Sequence, residues 1–184
     1  MDPPRMTTAR RLPKRSQVRL PDTWDLSRLF PNDAAWERAF TKWEGEIDRY
    51  EPFRATLGSG AARLAECLTF HFDFERTADR LGNYAFLKTA EDTGQSTYQR
   101  MIGRFRNAAS RAGQASSFLQ PEVLALPASK IRGYLAAADL AEYRLVLERW
   151  LRYKPHTLST PEEKLLAMQA EMSSAAGQIF RQLN

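Results

Sequence analysis

Cysteine is nearly absent: Cys67 is the only one in 184 residues. An internal disulfide is therefore excluded, and the composition fits a reducing compartment. Histidine is almost as scarce. His71 and His156 stand 85 positions apart and neither is followed by Glu. A metal-holding helix with two imidazoles one turn apart cannot be built from them. No apolar run approaches the roughly 20 residues that a membrane span needs. Nor is there the apolar core of a secretory signal.

A surplus of one charge is also missing from most of the chain. The net charge is +5, but residues 1–20 hold six basic side chains against Asp2. The other 164 residues hold 21 basic and 21 acidic ones. That balance argues against the basic face that phosphate binding requires, so no nucleic acid is expected. Residues 1–19, with Pro3, Pro4, Pro13 and several arginines, read as a disordered basic extension. An arginine-rich transit peptide is the competing reading; a cytoplasmic protein is the one favoured.

What is present is helical periodicity. Leu20-Pro21 opens the ordered part, and Trp24, Leu26, Leu29 and Phe30 are expected to dock on the first helix. Pro31-Asn32-Asp33 supplies a helix start. Trp36, Phe40, Trp43, Ile47 and Tyr50 follow at spacings of 4, 3, 4 and 3, which makes one stripe, ended by Pro52. A second helix fits 61–89, with Leu64, Cys67, Leu68, His71, Phe74, Ala78, Leu81 and Ala85 inward. Phe70, Phe72 and Phe74 alternate as in a strand, but helical periodicity runs unbroken on both sides. Asp92 with Gln95 reads as a capping box for a third helix near 94–119. Pro121 and Pro127 leave room for at most one turn between them, and a short helix near 128–137 follows.

Asp139 with Glu142 marks the next start, and Leu140, Tyr143, Val146, Leu147, Trp150 and Leu151 form the stripe. Lys154-Pro155 stops it. Thr160, Pro161 and Glu163 then form a capping box, and apolar periodicity runs on to Leu183. That last pattern suggests a chain cut inside or just after a helix. The expectation is an all-α, bundle-like domain of five to six helices over 20–184.

Individual residues divide between structural and functional readings. His71, between aromatics on an apolar face, reads as a hydrogen-bonded core histidine. Cys67 reads as a small buried apolar residue. Trp24, Trp36, Trp43 and Trp150 read as core. Glu162-Glu163 reads as helix capping. His156 sits in a loop where its ring, with Thr157 and Ser159, could satisfy backbone groups at helix ends.

Two stretches carry a resemblance. TWDLSRLFPNDAAWERAF is similar to the opening of the oligoendopeptidase F family. AEYRLVLERWLRYKPHTLSTPEEKLLA resembles that family's internal signature, including Arg152, Lys154, Pro155, His156, Thr157, Leu158 and Ser159. GQIFRQLN looks like the helix before the family's next domain. The likeness spans roughly 21–184. It implies the amino-terminal part of a zinc metallopeptidase related to the thimet oligopeptidases, an all-α ellipsoid whose channel admits short peptides. In that family two His of a His-Glu-x-x-His helix and a distal Glu hold zinc. None of these positions exists here, so no catalytic or metal-binding role transfers, and this segment alone is expected to be inactive. What transfers is a place: one wall of the channel, with Tyr153 and His156 as candidates to touch peptide. The implied partners are short peptides and a carboxy-terminal catalytic domain. The alternative is a free-standing helical interaction module.

Overall fold

The computed structural model describes residues 17–156. The expected basic extension through residue 16, the Thr160–Glu163 capping box and the apolar stripe beyond it lie outside the described residues. Six helices are described: α1 (Asp33–Gly45), α2 (Ala61–Glu91), α3 (Ser96–Ser116), α4 (Leu119–Ala125), α5 (Ala128–Ala136) and α6 (Arg144–Tyr153). There is no strand among the described residues, so the fold is all-α. The chain divides into two compact units after Val123, each taken by itself below.

The first unit is organised by the α1 stripe. Asn32 caps the helix as expected, its side chain accepting from the Ala35 N–H at 2.9 Å. Trp36, Phe40, Trp43, Ile47 and Tyr50 are all buried. The α-helix itself stops at Gly45, and a 3₁₀ stretch, Ile47–Phe53, carries the stripe onward through Pro52. Pro52 therefore lies inside this turn rather than ending a continuous helix. The tighter winding still keeps residues three apart on one side.

α2 runs through the Phe70–Phe74 segment as helix, and it packs along both α1 and α3. The two indoles are not merely greasy: Trp36 Nε1 donates to the Leu81 carbonyl at 3.0 Å and Trp43 Nε1 to that of Phe74 at 3.2 Å. Each satisfies a donor that would otherwise cost on the order of 1–3 kcal/mol to bury. Trp43 stacks between Phe74 and Phe105, with ring centroids 4.9 and 5.7 Å away. Tyr84, absent from the expected stripe, is buried, and its hydroxyl donates to Asp33 at 2.7 Å.

Gly82 explains the close approach of α2 and α3. A Cβ there would fall 2.7 Å from the Phe105 ring. Arg104 pairs with Glu37 through both guanidinium nitrogens, at 2.8 and 2.7 Å, and Arg111 pairs with Glu44. Both pairs tie α3 to α1.

Three further expectations in this unit are corrected. Asp92 does not cap α3: its side chain accepts from the Gly94 N–H at 3.0 Å, and the helix starts at Ser96 with no side-chain cap. That is a local Asx turn, which competes with capping for the same oxygen. Trp24 is 57% exposed, not core. It borders an open cleft of about 190 Å³ with Val18, Asp22, Thr23, Ala90 and Glu91. Finally, α4 has seven residues and includes Pro121, which sits in its first turn, where a missing N–H costs nothing.

The loop before α2 is held by α4. Ala55 takes the left-handed region, φ 59°. The Glu122 carboxylate accepts from the N–H groups of Ala55 and Leu57, both at 2.8 Å. A turn that costs backbone energy is thereby given two charge-assisted bonds.

Candidate functional site

The residues named from sequence, Tyr153 and His156, lie in the second unit. Pro127 precedes α5 and its carbonyl accepts from Ile131 N at 3.1 Å. α5 buries Ile131 and Tyr134, one turn apart. A 3₁₀ turn, Ala138–Leu140, then tucks Leu140 away completely. This turn absorbs the start signal read at Asp139 and Glu142, so α6 begins only at Arg144. The Arg144 guanidinium donates to the Leu135 carbonyl at 3.0 Å, satisfying the end of α5.

α6 buries Leu147. Tyr143, Val146, Trp150 and Leu151 are half-buried, so Trp150 is not the core residue expected. The helix stops at Tyr153, where Lys154-Pro155 predicts, and Lys154–His156 forms a 3₁₀ turn. Lys154 Nζ donates to the Leu126 carbonyl at 3.5 Å. Tyr153 is 64% exposed on the last turn of α6. The backbone of His156 lies three residues on; its side chain is outside what the structure describes.

The outward side of α6 escaped the sequence reading. Leu145, Arg149, Arg152 and Tyr153 recur at i, i+4, i+7 and i+8 and are all exposed. Arg149 and Arg152 have no ion pair or hydrogen bond among the described residues. The spacing is visible in the sequence, but the zero balance over residues 21–184 hides the local one. Locally, residues 124–156 hold six basic side chains and three acidic ones.

The remaining chemistry-bearing groups sit in the first unit and are structural. His71 Nδ1 lies 2.8 Å from the Tyr50 hydroxyl. It is hydrogen-bonded as expected but half-buried rather than in the core, and burial pushes its pKa below the usual 6.5. Burial pushes the Cys67 thiol up to about 12, so it is no nucleophile at neutral pH. Among the described residues no three His, Cys, Asp or Glu side chains gather as metal ligands. A zinc site needs three or four converging ligands, and the described side chains supply no such set. No described helix is long and apolar enough to cross a membrane.

Comparison with known proteins places this arrangement. The family model described as Oligopeptidase F matches residues 122–184, which include α5, α6 and the Arg-Tyr-Lys-Pro-His run. Oligopeptidase PepF of Bacillus subtilis is 33% identical over 177 residues, covering 96% of this chain and 26% of that protein. Group B oligopeptidase PepB of Streptococcus agalactiae is 30% identical over 171 residues, covering 92% and 28%. The crystal structure of oligoendopeptidase-F from Enterococcus faecium superposes with a TM-score of 0.68 at 28% identity, over 83% of this chain and 30% of that one.

The chain is similar in sequence and fold to part of the oligoendopeptidase F proteins. It spans about a quarter of the length of the curated relatives it matches. The likeness extends well beyond the 122–184 match: the first unit, with its Trp36–Trp43 stripe, falls within the aligned residues too.

Proposed function

We propose that residues 20–184 are the amino-terminal helical domain of a cytoplasmic zinc metalloendopeptidase that hydrolyses short peptides. In this reading a carboxy-terminal catalytic domain holds the zinc through a His-Glu-x-x-His helix and a further Glu. The metal would supply Lewis-acid polarisation and an activated water there. The residues of this chain contribute no ligand. They form part of the wall along which peptide approaches, with Tyr153 and His156 on the substrate side.

One observation carries the reading: 96% of the chain aligns, at 33% identity, with a protein called an oligopeptidase. The exposure of Tyr153 supports its place on a substrate-facing surface.

The encoding DNA beyond the codon for Asn184 tests the proposal. An in-frame continuation with His-Glu-x-x-His, whose product cleaves short peptides in a chelator-sensitive way, supports it. A stop codon followed by unrelated sequence overturns it and leaves a free-standing helical module.

A further inference from the structure

The exposed stripe of α6 combines two neighbouring cations with flanking apolar side chains. Arg149 and Arg152 are both exposed, three residues apart, and without an ion pair or hydrogen bond among the described residues. At that spacing Cβ atoms lie about 5–6 Å apart, so two guanidinium forks can reach one anion. On either side stand Leu145, 55% exposed, and Tyr153, 64% exposed. Glu148 borders the stripe one turn before Arg152, half-buried, and no ion pair joins the two among the described residues.

We infer that this stripe docks the free α-carboxylate of a short peptide, with the last side chain of the peptide lying against Leu145 and Tyr153. The inference rests on the reading of the protein as part of a peptidase for short peptides. Charge complementarity selects the occupant. Residues 124–156 hold six basic and three acidic side chains, and the whole unit to residue 184 eight and six, a balance that favours an anion. The chain's own residues 1–19 carry a net +5 and are repelled. A second copy would set like charges face to face. An α-carboxylate suits a guanidinium fork, which offers two parallel donors to its two oxygens. Every free short peptide carries one, whatever its sequence, whereas an acidic side chain occurs only in some. Leu145 and Tyr153 offer apolar contact without demanding one side chain. Folded proteins and long chains present few free carboxyl ends, so a stripe of this kind favours short substrates.

The test uses the 184-residue chain and a fluorescein-labelled heptapeptide of Ala, Gly and Leu ending in Phe. Binding is followed by anisotropy at low salt, with circular dichroism confirming that each variant is folded. The free-acid peptide should bind, and its amide should bind about tenfold more weakly, the size of one lost charge-assisted contact. An internal Glu→Gln change in a Glu-containing version of the peptide should leave affinity within about twofold. Arg149→Gln with Arg152→Gln should bring the free acid to the affinity of the amide. Arg38→Gln with Arg106→Gln removes the same charge from the first unit and should change nothing. Equal binding of acid and amide, equal loss in both double variants, or no binding at all would overturn the inference. Sensitivity to the internal Glu instead of the terminus would mark an acidic side chain as the ligand and overturn it too. Cleavage is not read out. A reading frame without a catalytic domain would remove the proposed enzyme and leave the binding result to be judged separately.

Discussion

In residues 17–123 fourteen basic side chains meet fifteen acidic ones; in 124–156 six meet three. The two regions use arginine differently. In the first, most arginines lie over aromatic rings or against carboxylates, such as Arg49 over Phe70, Arg63 over Phe53 and beside Glu66, and Arg104 over Phe40 and beside Glu37, while Arg28, Arg38, Arg100 and Arg106 are exposed and do neither among the described residues. In the second, Arg144 caps a helix end, while Arg149 and Arg152 reach solvent. The burial differs as well. The first region closes around four aromatics that are almost wholly buried, Trp36, Phe40, Trp43 and Tyr50, whereas the second hides mainly aliphatic Ile131, Leu140 and Leu147 with Tyr134. Paired cations spend their charge on holding the fold. Arg149 and Arg152, without an ion pair among the described residues, leave it available to a ligand. The contrast teaches which region to examine for binding and which for stability.

The comparison breaks most visibly at Trp43. Trp43→Ala removes a stacked, hydrogen-bonded indole that is 1% exposed. It should cost about 3–5 kcal/mol in denaturant unfolding. A loss below about 1 kcal/mol would mean that the aromatic core does not carry the first region.

Next in size is Gly82→Ala. The added methyl would meet the Phe105 ring at 2.7 Å, and Phe105 is itself held against Trp43. Overpacking of this kind costs about 1–3 kcal/mol, more than the helix-propensity gain of Ala over Gly returns. A stabilised variant would show that α3 can move away from α2 freely.

Glu122→Gln should cost about 1–2 kcal/mol, because one carboxylate serves the N–H groups of both Ala55 and Leu57. Ala55→Gly in the same background should recover part of that, since glycine relieves the positive φ of 59°. Failure of the second change to help would locate the loss in packing rather than in the turn.

Much of this fold was legible because α1 and α2 bury continuous stripes. Trp36 to Tyr50 and Leu64 to Ala85 repeat with helical spacing, and burial follows the repeat. Boundaries were less legible. Asp92 and Asp139 both look like helix starts, yet Asp92 bonds to Gly94 and Asp139 enters a 3₁₀ turn, because a short polar side chain has several backbone partners within reach. Trp24 was misjudged for a different reason. Its hydrophobicity says nothing about whether another element covers it. Likeness to a family points to Tyr153 and His156 as the candidate site; it includes Arg152 in its signature without giving it a role and does not mark Arg149. Exposure of a basic residue becomes visible only when its neighbours are placed.

The smallest effects decide the comparison itself. Arg104 and Glu37 form a two-bond pair at 2.7 and 2.8 Å, but their side chains are 43% and 48% exposed. The paired guanidinium holds the Glu37 carboxyl below its ordinary pKa. Solvent screening limits the value of such a pair to about 0.2–1 kcal/mol. Arg104→Gln should therefore destabilise by an amount in that range, larger at low salt and fading as salt is added. A double-mutant cycle with Glu37→Gln isolates the pairwise part. Arg149→Gln should change stability by less than about 0.5 kcal/mol, as exposed substitutions without partners do. Its small effect should not fade with salt as a lost attraction would; removing one of several like charges from 124–156 should even help slightly at low salt. If Arg149→Gln proved as costly and as salt-sensitive as Arg104→Gln, Arg149 would have to be holding the fold, and the stripe on α6 would lose its claim to a free anion site.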